Sequence, residues 1–272
     1  MNSRIGFIGG GNMAASLIGG LVEAGNSADN LLVAEPDAAR RQQLQTAFGV
    51  HTTDDNGGVL QQDFVVLAVK PQILRAVCEA LRPTAQQAAC TFVSIAAGVR
   101  SASIDRWLGG NRAIVRCMPN TPALLRCGAT GMFANTAVGA AAREQADAML
   151  GSVGITVWVD DEQLLDAITA VSGSGPAYYF LMMEAMSEVA VQLGLDADSA
   201  RRLVTQTALG AARMMADSEL DAATLRANVT SKGGTTEQAI ATFEQAGLRD
   251  IVRQAMTAAQ QRSVELAQQL DQ

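Results

Sequence analysis

The run Ile5-Gly6-Phe7-Ile8 breaks into Gly9-Gly10-Gly11 and passes, from Asn12 on, straight into a stretch whose apolar residues recur at helical spacing. A strand, a glycine turn and a helix joined without slack leave few choices, because the helix must fold back over the strand's own sheet. The first half repeats this pattern. Short apolar runs at 4–8, 31–34, 64–68, 91–95 and 113–116 alternate with helical stretches, and each is uniform enough to be a strand buried on both faces. The alternation predicts an α/β fold with a mainly parallel sheet and right-handed crossovers. Two later runs, 131–134 and 155–159, are expected to extend the sheet around a helix at 140–150, and the sheet domain is expected to close near Asp160-Asp161-Glu162. The polar stretch His51-Thr52-Thr53-Asp54-Asp55 reads as a loop.

From Gln163 onward the strand pattern stops and the composition turns to Ala, Leu, Met and Gln, which favour helices. Helices are expected at 163–171, 176–193, 197–216, 221–228, 235–245 and 248–270. The organisation that follows is a Rossmann-type sheet domain over 1–162 and an all-helical domain over 163–272. The helix at 176–193 is apolar on nearly every face, so it is expected to be buried all round. One protomer cannot cover that much apolar helix, which predicts a homodimer, with assembly into a larger homo-oligomer left open.

The chain has 272 residues and a net charge of −7, with only two lysines, Lys70 and Lys232. That balance argues against a nucleic-acid partner, which needs clustered cations. Any anion site must instead rest on backbone N–H groups. Four cysteines, Cys78, Cys90, Cys117 and Cys127, lack metal or CxxC spacing and read as reduced core thiols, so no metal site is expected. Met1-Asn2-Ser3-Arg4 leads into the first strand without a long apolar leader, and no window nears the roughly 18 apolar residues of a membrane span. A cytoplasmic protein without a membrane partner is expected.

The turn at Gly9, Gly11 and Ala14 fits a Gly-x-Gly-x-x-Ala dinucleotide fingerprint. Gly9 permits the tight turn, Gly11 lets a pyrophosphate approach the backbone, and Ala14 allows close helix–strand contact. The helix N-terminus takes the negative charge. Glu35 ends the second strand, where a carboxylate takes the 2′-hydroxyl of NAD and repels the 2′-phosphate of NADP. Arg40 and Arg41 follow on the next helix and either pair a phosphate or line a solvated face, so NADH and NADPH both stand. Pro71 ends the third run and starts a helix, holding Lys70 at the ligand-binding edge. Ser94-Ile95-Ala96-Ala97-Gly98 is small and uncharged, which suits a nicotinamide ring or an ordinary core turn.

Two polar, glycine-rich interruptions break the helical half: Ser172-Gly173-Ser174-Gly175-Pro176 and Thr230-Ser231-Lys232-Gly233-Gly234-Thr235-Thr236. Each precedes a helix and can act as a plain cap or, through successive N–H groups and hydroxyls, as a cradle for a carboxylate.

Six stretches in order, Gly-Phe-Ile-Gly-Gly-Gly-Asn-Met-Ala at 6–14, Ala-Val-Lys-Pro at 68–71, Ser-Ile-Ala-Ala-Gly at 94–98, Met-Pro-Asn-Thr-Pro at 118–122, Ser-Gly-Ser-Gly-Pro-Ala-Tyr at 172–178 and Thr-Ser-Lys-Gly-Gly-Thr-Thr at 230–236, resemble the pyrroline-5-carboxylate reductase family along essentially the whole chain. The resemblance implies NAD(P)H-dependent reduction of 1-pyrroline-5-carboxylate to L-proline, with a helical dimerisation domain and a substrate site near the dimer interface. It implies that Thr236 and Ser231 serve catalysis and that Ser174, Glu219, Gly233, Gly234 and Thr235 bind the small imino acid. With the fingerprint, it places the cofactor on Ile8, Gly9, Gly10, Gly11, Asn12, Met13, Glu35, Asn56, Ala68, Val69, Lys70, Pro71 and Ala97. Two departures stand out: Lys232 where many members have proline, and Glu35 where many have a small residue.

Imine chemistry suits this inventory. A cyclic imine is basic enough to be activated by a hydrogen bond, so positioning and a hydroxyl can suffice. A β-hydroxyacid dehydrogenase, the rival enzyme, commonly manages its alkoxide proton with Lys or His, and 163–228 holds neither. A non-catalytic dinucleotide sensor, the other rival, needs no hydroxyl-rich bend.

Overall fold

The structure, a computed structural model, describes residues 3–271. Met1 and Asn2, on which the leaderless start rests in part, lie outside the described residues. The first half runs β1 (Ile5–Ile8), α1 (Asn12–Glu23), β2 (Leu31–Ala34), α2 (Ala38–Phe48), β3 (His51–Thr53), β4 (Phe64–Leu67), α3 (Pro71–Ala85), β5 (Thr91–Ser94), α4 (Ser101–Leu108), β6 (Ile114–Met118), β7 (Gly128–Ala134), α5 (Ala140–Gly151) and β8 (Gly154–Trp158). Among the described residues the strands form one sheet in the order β3-β2-β1-β4-β5-β6-β7-β8. Every junction is parallel except that of β6 with β7. The fold is thus a Rossmann-type, mainly parallel sheet followed by helices.

The strand β3 corrects the loop expected at 51–55, since His51, Thr52 and Thr53 pair with Leu32, Val33 and Ala34. An edge strand has a single neighbour and polar side chains suit it, so no apolar run marks it in sequence. Two β-branched threonines are the only signal it leaves.

Burial on both faces follows from alternation along each strand. Ile5 and Phe7 pack with Leu17, Ile18 and Leu21 of α1 and Met149 of α5, whereas Ile8 packs with Leu74 and Cys78 of α3 and Ile104 of α4. Phe7 and Phe92 are 0% exposed, and truncating either to Ala costs about 3–5 kcal/mol. The chain leaves β1 outward through β2 and β3 and returns at β4 on β1's other side. That reversal opens a crevice at the carboxyl ends of β1 and β4, where open α/β sheets bind ligands.

The second half contains α6 (Leu164–Ile168), a π-helical turn (Thr169–Gly173), α7 (Gly175–Gln192), α8 (Ala197–Asp217), α9 (Ala222–Asn228), α10 (Thr235–Gln245) and α11 (Leu248–Asp271). The chain forms two compact units, one from its start to Ser174 together with Ala259 onward, the other Gly175–Ala258. The last strand ends at Trp158, but α6, the π turn and the end of α11 belong with the sheet. The 172–176 stretch is accordingly no open interruption. Ser174 donates its N–H to the Thr169 carbonyl at 2.7 Å, and the Ser172 hydroxyl donates to the Ile168 carbonyl at 3.1 Å. A wider turn absorbs the extra residue without breaking the helix.

Burial of 176–193 on all sides is not met within one chain. On α7, Tyr179 is 69%, Phe180 64% and Leu181 66% exposed. An apolar groove of about 500 Å³ runs between Met182, Met186 and Val189 of α7, Leu203 of α8 and Phe243 of α10. The reading of four core thiols also needs correction, because Cys127 is exposed. Burial pushes the Cys78 thiol up to about 12 and the Cys90 thiol to about 11, which keeps both protonated and unreactive. Among the described residues no helix is long and apolar enough to cross a membrane.

Candidate active site

Parallel strands put their carboxyl ends on one edge of the sheet, and the expected cofactor residues gather there. Ile8 ends β1 and Gly9–Met13 form the turn into α1; Glu35 follows β2 and Asn56 follows β3; Ala68–Pro71 follow β4 and Ala97 follows β5. The turn is held tightly. Gly9 donates to the Ala34 carbonyl at 2.8 Å, and Ala68 donates to the Ile8 carbonyl at 2.9 Å. Gly9 sits at φ +99°, and a Cβ there would lie 2.7 Å from the Ala68 carbonyl oxygen, so no other residue fits. Gly11 differs, since nothing lies within 4 Å of a Cβ built on it. It faces open space, as a phosphate approaching the backbone requires.

The start of α1 is unsatisfied from within the chain. Its N-cap is Gly11, no side chain caps it, and its first turn carries no acidic residue. Exposed amides and the helix dipole therefore attract an anion. Lys70 is the N-cap of α3 with Pro71 at the first helical position, as expected, and the lysine is exposed at the same edge. Glu35 reaches back to the turn: its Oε2 accepts the Gly10 N–H at 2.8 Å and its Oε1 accepts the Asp37 N–H at 3.1 Å. Arg40 and Arg41 are not a solvated face. Arg40 donates Nε–H to the Gly10 carbonyl at 2.6 Å, and Arg41 donates to the carbonyls of Glu35 at 2.6 Å and Pro36 at 2.9 Å. Gly9, Gly11, the bare helix end and the carboxylate together fit a nicotinamide dinucleotide.

In the second unit the 230–236 stretch is a tight bend between α9 and α10. Gly233 takes φ +74°, Gly234 donates to the Ser231 carbonyl at 3.0 Å, and the Gly233 N–H donates to Glu237 Oε2 at 2.7 Å. Gly234 caps α10 without a side chain. The amides of Thr235 and Thr236 thus open the helix with no intrahelical partner. Ser231 and Thr235 are exposed and Thr236 is half-buried, while Glu219 lies exposed in the bend before α9. Ser174 belongs to the first unit, its amide spent on the π turn. Among the described residues no cluster of His, Cys, Asp or Glu could hold a metal.

Residues 162–266 match the family model for pyrroline-5-carboxylate reductase dimerisation, and residues 4–98 match that for NADP oxidoreductase, coenzyme F420-dependent. The pyrroline-5-carboxylate reductase of Pseudomonas aeruginosa is 53% identical over 99% of this chain and 98% of its own. The chain belongs to the pyrroline-5-carboxylate reductase family. A solved pyrroline-5-carboxylate reductase from Coxiella burnetii superposes with a TM-score of 0.94 at 44% identity, covering 98% of this chain and 99% of that one. The Plasmodium falciparum pyrroline carboxylate reductase, solved with NADP bound, gives 0.85 at 28% identity over 98% of both chains.

Within this pyrroline-5-carboxylate reductase fold, the sequence reading missed the groups that brace the β5–α4 turn. Glu162 accepts both the N–H of Ser101, at 2.7 Å, and its hydroxyl, at 2.9 Å, so it caps α4, and it pairs with buried Arg116 at 3.1 Å. Asp166, 2% exposed, pairs with Arg100 at 3.6 Å. Asn120 donates to the Ser172 carbonyl at 3.0 Å and accepts the Ala129 N–H at 2.9 Å, tying the 118–122 stretch to the π turn. Asn120 sits inside a family motif, which was the available signal. Nothing local marks Glu162 or Asp166.

Proposed function

We propose that this chain catalyses NAD(P)H-dependent reduction of 1-pyrroline-5-carboxylate to L-proline. The observation that carries the reading is the loop edge of the sheet, with its uncapped helix start, its open Gly11 and its carboxylate, in a chain 53% identical to a relative so named over 99% of its length. When bound, a reduced nicotinamide would supply the hydride that adds to the carbon of the protonated imine, whose C=N π pair becomes the lone pair of the amine nitrogen, leaving the nicotinamide oxidised.

The chain's residues bind and orient. Gly9–Met13 and Ala68–Pro71 hold the dinucleotide, with Ile8, Glu35, Asn56 and Ala97 beside it on the same edge. In this reading the bend of Gly233, Gly234 and Thr235 receives the substrate carboxylate on the free amides that open α10, the hydroxyls of Ser231 and Thr236 meet the ring nitrogen, and Ser174 and Glu219 are further substrate-binding residues. Support comes from the first turn of α10, opened by glycine rather than a capping side chain. Mixing the purified protein with 1-pyrroline-5-carboxylate and following NAD(P)H absorbance tests the activity; cofactor oxidation no faster than the blank rules it out. A dinucleotide sensor would give that blank rate, and a β-hydroxyacid dehydrogenase would turn over hydroxy acids instead.

The reading includes a homo-oligomer, at least a homodimer, in which a second copy covers α7. The dimerisation model over 162–266 and the exposed Tyr179, Phe180 and Leu181 support it. Phe180→Glu is expected to release monomers in sedimentation at micromolar concentration, and an unchanged oligomer would remove this face from the interface. A cytoplasmic enzyme without nucleic-acid or membrane partners completes the reading, supported by the −7 charge, and cell fractionation checks it.

A further inference from the structure

We propose that this chain selects NADH over NADPH, with the Glu35 carboxylate as the selecting group and with Arg40 and Arg41 withdrawn from the phosphate-pairing role their position invites. The inference rests on the reading above only in taking the bound cofactor to be a nicotinamide dinucleotide.

Position alone leaves the nucleotide open, because an acidic residue and two arginines share the β2–α2 segment. The hydrogen bonds decide between them. Both oxygens of Glu35 are pinned at the turn, one by Gly10 N–H at 2.8 Å and one by Asp37 N–H at 3.1 Å. Each keeps a second lone pair to which a hydroxyl can donate. A ribose 2′-hydroxyl can do so. A 2′-phosphate carries close to two negative charges at neutral pH and has acceptors in place of the hydroxyl's proton, so it meets the carboxylate as a like charge with nothing to share.

The arginines offer no ready compensation. Arg40 is held on the Gly10 carbonyl at 2.6 Å and on Gln43 at 3.1 Å, and Arg41 is held on the carbonyls of Glu35 and Pro36. Turning either guanidinium onto a phosphate breaks a short charge-assisted bond and strips a carbonyl of the turn of its partner. Gly10 ties the arrangement to the fingerprint. A Cβ there would lie 2.7 Å from Leu44 Cδ1 and 3.2 Å from Glu35 Oε2, so a side chain at the middle glycine would press on Leu44 and crowd the carboxylate.

The test titrates the full-length protein with NADH and, separately, NADPH, reading dihydronicotinamide fluorescence with no imine present. NADH is expected to bind at least about thirtyfold tighter. Glu35→Gln keeps an oxygen for the Gly10 N–H and is expected to shrink that ratio at least about tenfold, with Glu35→Ser as a second variant should the amide misplace the turn. Arg40→Ala and Arg41→Ala should leave the ratio within about threefold. Equal affinities in the parent, a ratio unmoved by both Glu35 variants, an arginine variant that loses NADPH alone, or binding of neither nucleotide overturns the proposal. Selective NADH binding without turnover of 1-pyrroline-5-carboxylate would sink the reductase reading and leave this inference standing.

Discussion

Ser263 donates its hydroxyl to Asp166 Oδ1 at 2.7 Å, across 97 positions of the chain, with both residues buried. The same carboxylate faces Arg100 at 3.6 Å. Arg100 is the N-cap of α4 and follows the Ser94–Gly98 turn by two residues, so the end of α11 is bonded to the element that carries the turn. A buried carboxylate with two partners is costly to leave half-satisfied. Ser263→Ala is therefore expected to lower unfolding free energy by about 1–3 kcal/mol, and Asp166→Asn by a similar amount. Because both act on one contact, the double variant should show about 1–2 kcal/mol of coupling in urea denaturation. Strict additivity would mean the bond contributes nothing.

Acid sensitivity follows from another contact. The backbone N–H of Arg4 holds the Asp63 carboxyl below the usual carboxylate range against the opposing effect of burial, with the Arg4 guanidinium adding to it. The N–H lies 2.8 Å away and the guanidinium 3.3 Å. A carboxyl depressed in the folded state contributes stability above its unfolded value, near 3.9, and loses it as pH falls through the lower folded value. Asp63→Asn should therefore lower Tm at pH near 6 and converge with the parent as pH falls through the lowered folded value. A constant Tm difference across that range in scanning calorimetry would refute the assignment.

Gly98 lies against the end of α11. It takes φ +77°, and a Cβ there would lie 3.3 Å from Leu270 Cδ1. The leucine tip can yield, but the backbone angle cannot, so Gly98→Ala is expected to cost about 1–2 kcal/mol through backbone strain. Adding Leu270→Ala should then fail to recover the loss. Full recovery of Tm in the double variant would show that crowding, rather than the angle, sets the cost.

Much of this was legible from residues alone, for a physical reason. A strand buried on both faces must be apolar at every position, so β1, β2, β4 and β5 announce themselves, and the helices from α8 to α11 fall within a residue or two of their expected limits. The glycine turn and Glu35 are local, and sequence placed them. What stayed hidden is pairwise and distant. The edge strand β3 has no core side to advertise, and Glu162 and Asp166 gain meaning only from Ser101, Arg116, Arg100 and Ser263 brought beside them. The π turn was illegible because its glycines look like a loop until Ser174 bonds back five residues to Thr169. Burial of α7 on every face was expected from its apolar sequence, and a single chain does not provide it.

Thr236 offers the sharpest check on the substrate bend. It is the second residue of α10, half-buried, with its helix capped by Gly234 rather than by its own side chain. Removing its hydroxyl therefore leaves the local fold intact and deletes only a donor. If that donor meets the imine nitrogen as hydride arrives, Thr236→Ala should lower kcat by about ten- to a hundredfold, the worth of one hydrogen bond to a developing charge. Cofactor affinity, which the proposed site places on the sheet edge, should stay within about twofold, and Thr236→Ser should restore most of the rate. A variant whose kcat is unchanged, or whose rate and cofactor affinity fall in parallel, would show that the hydroxyl has no part in the chemistry.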